Sequence, residues 1–150
     1  MKWFGDNILL KNIKVKFIVH NHEALKAGKH QDFRFEDPRN KKNWLSFAVR
    51  KGIPLKPGVR VLAVKTHLHS KDEALFTGEI PKGEYGAGKL SVFDEGNAEI
   101  QKFTSAHIAI ILKGKKAKGI YHLINLGVTN RTKYKEGQYL LFKGNLETGD

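Results

Sequence analysis

Val15, Phe17 and Val19 fall at alternate positions, and Phe33 and Phe35 alternate with Asp32 and Arg34. In an extended chain successive side chains point to opposite faces, so each stretch reads as a strand with one apolar side. Alternation, together with enrichment in β-branched and aromatic residues, marks nine strands at 15–19, 32–35, 44–49, 59–65, 89–93, 98–103, 107–112, 120–126 and 138–143. Turn formers separate them: Asp37-Pro38-Arg39-Asn40, residues 54–58, Pro81-Lys82-Gly83, Glu95-Gly96-Asn97 and Lys113-Gly114-Lys115-Lys116. Short strands at this spacing predict a mainly β fold, a closed barrel or a sandwich. One short helix is expected at residues 23–27, with Asn21 as N-cap and Gly28 just past its end.

Composition narrows the class. With 40% hydrophobic residues in 150, the chain can bury a core as one domain without metal or disulfide staples. No repeat, linker or low-complexity tract divides it, so we expect a single domain over 1–150, with 1–13 and 144–150 as peripheral tails. There is no cysteine, which removes disulfides, thiolate metal sites and cysteine nucleophiles. The longest apolar run is residues 108–112, and the opening lacks a basic stretch followed by an apolar one, so the expectation is a cytoplasmic protein off the membrane.

Charge adds a partner. The net charge is +12 with a pI near 9.9, and a polyanion is the natural counterpart of such a surface. The excess lies in the outer thirds, since residues 51–100 carry as many acidic as basic side chains. Charge alone fits a solubilising surface as well as a nucleic-acid surface.

His30, Asp32 and Arg34 share one face of a predicted strand, opposite Phe33 and Phe35. On its own this is the ordinary pattern of apolar residues inward and polar ones in water. His22, eight residues earlier at the start of the expected helix, changes the reading, because a turn ending at Gly28 brings it back toward His30 and Asp32. Two imidazoles and a carboxylate make an open shell for a divalent metal, with positions left for water and substrate oxygens. His67 and His69 form a His-x-His pair, a spacing shared by His20 and His22. Such a pair ligates metal or simply sits hydrogen-bonded at a surface. Arg34, Lys51 and Arg60 stand in or at the ends of strands, where they either hold phosphate oxygens or are solvated. Three glycines in IPKGEYGAG, residues 80–88, read as a barrel corner rather than a phosphate loop.

Several ordered segments together resemble the 3′-phosphoesterase family, the end-healing module of bacterial DNA ligase D that also occurs as free-standing proteins. They are FIVHNHEA leading to HQDFRF, then WLSFAVRKGIPLKPGVRVLAV, IPKGEYGAG, LKGKKAKGIYHLI and YLLFK, spanning roughly residues 17–143. The resemblance implies a small β-barrel of eight to nine strands, closed or partly open, with one or two short helices and the site in an open basic groove. It implies manganese, or another divalent metal, on His22, His30 and Asp32, and phosphate held or activated by Arg34, Lys51, Arg60 and His69. The implied activity is removal of 3′-phosphates, and of terminal 3′-ribonucleosides, from a primer strand. The partners implied are nucleic acid with such ends and a separate DNA ligase or polymerase, and the protein is expected to be a monomer.

The chain departs from that family pattern in places. The interval between His22 and His30 is two residues longer. Glu73 stands near where the family has a tyrosine that assists phosphate binding, and His67 fills an acidic position, which makes both candidate modulators. The acidic and basic residues used for ribonucleoside removal have no clear match in residues 1–13, so phosphatase activity is expected ahead of ribonuclease activity. These changes also admit a non-catalytic nucleic-acid-binding barrel, and the His-x-His pairs alone would permit an unrelated cupin-like metalloprotein.

Overall fold

A computed structural model of the protein describes residues 12–130 and 132–145, so most of the expected tails 1–13 and 144–150 lies outside it, while Ile13 already belongs to the first strand and Gly144 N–H reaches the Ile120 carbonyl. In chain order the elements are β1 (Ile13–Ala24), β2 (Gly28–Glu36), β3 (Asn43–Val49), β4 (Arg60–Lys65), β5 (His69–Ser70), α1 (Lys71–Leu75), β6 (Gly78–Ile80), β7 (Gly88–Phe103), β8 (His107–Lys113), β9 (Lys118–Asn125), α2 (Leu126–Thr129) and β10 (Gln138–Lys143).

Eight strands hydrogen-bond in the order β1-β2-β3-β4-β10-β9-β8-β7, and β7 pairs back onto β1, closing an antiparallel barrel. Closure removes the free edges that an open sheet would expose, and eight strands leave an interior just wide enough for side chains to fill. The alternate apolar residues do so: Val15, Phe17, Val19, Phe33, Phe35, Leu45, Phe47, Ile100, Ile110, Tyr121, Leu123 and Leu141 form one buried cluster. Burying each of the larger of these side chains contributes about 1.5–3 kcal/mol. A second cluster, Ile18, Trp44 and Ala74, lies on the outer face of the wall. There α1 is laid over β1 and β3.

Two sequence expectations are corrected. Residues 23–27 are not a helix. β1 runs on to Ala24, and Ala24 pairs with Gly28 across the three-residue turn Leu25-Lys26-Ala27. Five residues are too few to hold a helix unaided, whereas Gly28 at φ +77° supplies the left-handed position that a three-residue hairpin requires. The strands expected at 89–93 and 98–103 are one strand, β7. Gly96 is no turn residue: a Cβ there would lie 2.8 Å from the Lys113 carbonyl oxygen, so glycine marks the close approach of β8. β7 follows the bend of the barrel through an irregularity opposite Val19 and His20.

A candidate metal and phosphate site on the outer wall

The β1–β2 register sets His22 directly opposite His30, and His20 opposite Asp32. All four project from the outer face with Arg34, while Phe33 and Phe35 point inward. The polar row is withdrawn from water, as the metal-shell reading requires, because α1 and the loop carrying Gly86 close on it: His20, His22, Asp32, Arg34 and Ser46 are all buried. His22 is thus a strand residue on a hairpin, not the first residue of a helix, and cross-strand pairing brings the histidines together.

The hydrogen bonds define what the cluster can hold. His22 donates Nε2–H to the Gly86 carbonyl at 2.8 Å, which turns Nδ1 toward Asp32 Oδ2, also at 2.8 Å. His30 donates Nδ1–H to the Gly28 carbonyl at 3.2 Å and turns Nε2 toward Asp32 Oδ1 at 3.1 Å. Each imidazole therefore has one nitrogen fixed by a backbone carbonyl and the other aimed at the carboxylate, the second-layer pattern that orients histidine ligands of a metal. The converging atoms of His22, His30 and Asp32 all lie within 4.8 Å of one another. Two imidazoles and a carboxylate suit a divalent first-row cation and leave coordination positions open, so the residues present fit the metal that the sequence implies. Burial on its own would raise the Asp32 pKa, but the hydrogen bonds from His22 and His30 and the Arg34 charge prevail and hold it well below the usual carboxylate range.

Arg34 is locked beside this group. Its Nε–H donates to Ser46 Oγ at 3.0 Å, Nη1 donates to His20 Nδ1 and the Ala74 carbonyl, and Nη2 donates to Asp32 Oδ2, the last three at 3.4 Å. Of the five N–H donors of a guanidinium, one on Nη2 is left for a ligand among the described contacts. His20 accepts from Arg34 because it is neutral: burial and then the Arg34 charge lower its pKa to about 4.

The remaining expected site residues divide. His69 comes to the cluster: β5 pairs it with Trp44, and its pKa falls to about 4 through burial and the neighbouring Arg34 and His67 charges. The His67 ring leans against that of His69, centroids 4.2 Å apart and planes tilted by 41°. Lys51 lines an open cleft of about 420 Å³ together with His22, His30 and Arg50. Arg60 stands on the outer face of β4, two strands from β2, with its guanidinium 5.3 Å from the Phe142 ring centre. Glu73 caps α1: its Oε1 accepts from Ser70 N–H at 2.9 Å, its own N–H reaches Ser70 Oγ, and it stands 3.9 Å from His69 Nδ1. The segment at 80–88 is not a barrel corner. It carries Gly86, whose carbonyl fixes His22. Sequence reasoning missed Ser46 and the Gly28, Gly86 and Ala74 carbonyls. Ser46 alone had a signal, as the one hydroxyl inside the apolar run 44–49.

The molecule is a closed antiparallel barrel that carries on its outer wall a largely buried His-His-Asp group compatible with a metal ion, beside an immobilised arginine. The chain matches the family described as the DNA ligase D 3′-phosphoesterase domain over residues 20–125, and it belongs to that family. It is 35% identical over 134 residues to the multifunctional non-homologous end joining protein LigD of Pseudomonas aeruginosa, covering 86% of this chain and 15% of that protein. It is 36% identical over 112 residues to the protein of the same description from Mycobacterium bovis, covering 72% of this chain and 14% of that one. The Mycolicibacterium smegmatis relative is likewise 36% identical, over 120 residues. The chain thus spans about one seventh of the length of the curated relatives it matches. No described helix is long and apolar enough to cross a membrane.

Proposed function

We propose that the protein is a divalent-metal-dependent 3′-phosphoesterase that removes 3′-phosphates from nucleic acid, leaving a 3′-OH for a ligase or polymerase in end-joining repair. The observation that carries this reading is the hydrogen-bond pattern at His22, His30 and Asp32, in which both imidazoles are pinned from behind by carbonyls and converge on one carboxylate beside a buried guanidinium. Family membership supports the chemistry, and the relatives' description as end-joining proteins supports the setting.

His22 Nδ1, His30 Nε2 and Asp32 would hold the metal, manganese by family resemblance. Bound there, such an ion polarises a phosphoryl oxygen or lowers the pKa of a water. Arg34 offers its remaining Nη2–H and a charge fixed in a buried setting, where it needs no reorganisation to meet charge growing on the phosphoryl oxygens. His69, neutral at pH 7, donates a hydrogen bond to the phosphate. Lys51 supplies a point charge along the cleft, whereas Arg60 lies over the Phe142 ring two strands from β2, apart from the cluster. Removal of 3′-ribonucleosides is the secondary activity of the same site.

The test is phosphate release from a 3′-phosphorylated primer–template with Mn²⁺ against chelator. Metal-dependent release is expected. Tight binding of the same DNA with no release under any divalent metal would replace this reading with a binding-only barrel.

A further inference from the structure

Among the described residues Tyr85 is the most exposed large hydrophobic side chain, at 74%, yet the turn that carries it is held on both flanks. Glu84 N–H reaches the Pro81 carbonyl at 3.2 Å and Ala87 N–H the Glu84 carbonyl at 3.1 Å, while Leu25 N–H ties the Ala87 carbonyl to the β1–β2 hairpin at 2.9 Å. The next residue, Gly86, gives its carbonyl to His22. An aromatic ring in this position contributes little to packing, although burying it would have been favourable. It meets the His67 ring at 5.1 Å with the planes 65° apart, an edgewise contact that, with this exposure, leaves a ring face in water. The phenol also lies within electrostatic range of Arg34. Leu68 and Phe76, both exposed, rise from the segment that carries His67 and His69.

Cations and a metal-ready cluster on the floor, with an open aromatic face on a fixed rim, match the layout of a nucleotide: phosphate below, base above. The geometry points to Tyr85 as the stacking platform for the terminal nucleobase of the strand whose 3′-phosphate enters the cluster, with His67 bracing the ring. The inference rests on the phosphoesterase reading for which end is bound, but not for the stacking itself. Every base has a π face, so the platform accepts all four bases and rejects an end that has none.

Two measurements on the wild type, Tyr85→Ala and Tyr85→Phe separate the possibilities. The first is kcat/KM for 3′-phosphorylated ends carrying a base or an abasic terminal sugar. Tyr85→Ala is expected to raise KM for the base-bearing end by about 5- to 150-fold, the range one stacked base contributes, with little change in kcat. It should erase the preference over the abasic end, and Tyr85→Phe should restore both. The second is fluorescence of a 3′-terminal 2-aminopurine in the same oligonucleotide, bound without divalent metal so that no turnover intervenes. Wild type and Tyr85→Phe should quench it and Tyr85→Ala should not. A Tyr85→Ala enzyme with wild-type KM and quenching, or a Tyr85→Phe enzyme as weak as the alanine variant, overturns the stacking role. Quenching that depends on residue 85 with no phosphate released from any end upholds it and removes the phosphoesterase reading instead.

Discussion

Asp32 does two jobs that one substitution would remove together. It completes the proposed metal shell with His22 and His30, and it is the counter-charge of the buried Arg34. Loss of either imidazole leaves that ion pair intact, whereas loss of the carboxylate strands a buried guanidinium, which costs about 3 kcal/mol or more. All three alanine variants should lose metal-dependent turnover. Thermal melts should rank them: His30→Ala nearest the wild-type midpoint, His22→Ala lower because it leaves a void and an unpaired Gly86 carbonyl, and Asp32→Ala lowest, by about 6–12 °C. Equal melting of all three would mean that the Asp32–Arg34 contact carries no net stability. Glu73 calls for a similar distinction. Its carboxylate stands near His69 and Arg34, so it repels an incoming phosphate, but it also closes the α1 cap, which a change to Tyr would break. Glu73→Gln keeps an acceptor for Ser70 and removes only the charge. Because Glu73 is exposed and screened, the expected gain in kcat/KM is small, about twofold. His67→Glu should act in the opposite direction. A fall in rate for Glu73→Gln would contradict the repulsion argument.

At the scale of elements, α1 is a lid seated by one methyl group. Ala74 is fully buried against Ile18 and Trp44, and its carbonyl receives Arg34 Nη1. Ala74→Leu is expected to overpack this contact by about 1–3 kcal/mol and to displace the carbonyl. Phosphate release should then fall further than the melting midpoint implies, and parallel rate and stability measurements would show whether it does. The lid also explains what the sequence could reveal. The barrel strands were legible because each carries an apolar side at period two. The pair His30 and Asp32 was legible for the same reason, since alternation fixes which residues share a face. The lid was not, because β5, α1 and β6 are two, five and three residues long, too short for any period to emerge. β5 and β6 only extend the sheet beside β3 and β7, and α1 packs on the outer face of the wall, which alternation assigns to water. The hairpin at 25–27 was hidden by helix-favouring residues that pairing across β1 and β2 overrides, although the conclusion drawn from it, that His22 returns to His30, was correct. The carbonyls of Gly28 and Gly86 carry no side-chain signature at all.

For the whole molecule the question is which part of the +12 charge meets nucleic acid. A duplex can cover only one side of a closed barrel. The cleft side, on β1, β2 and the chain after β3, presents Lys29, Arg50 and Lys51 around His22 and His30. A separate row crosses β1, β7, β8 and β9 in register, with Lys16 beside Asn97, Asn97 beside Lys113 and Lys113 beside Lys118. Its far end lies on the opposite wall. If the DNA enters through the cleft, phosphates pair with the first group and displace counterions there, and log K falls with log[salt] by about 0.9 for each duplex phosphate neutralised. Arg50→Ala and Lys51→Ala should each reduce that slope by about 0.9, while Lys118→Ala should leave it as it was, even though all three remove the same net charge. His22→Ala should leave the slope unchanged as well, because the metal cluster contributes geometry rather than phosphate charge pairs. Titration of a 3′-phosphorylated primer–template at several salt concentrations reads all four variants. Equal reductions for Lys51→Ala and Lys118→Ala would mean that the charge acts as a diffuse field with no docking face. A flat salt dependence would reduce the basic surface to a solubilising one.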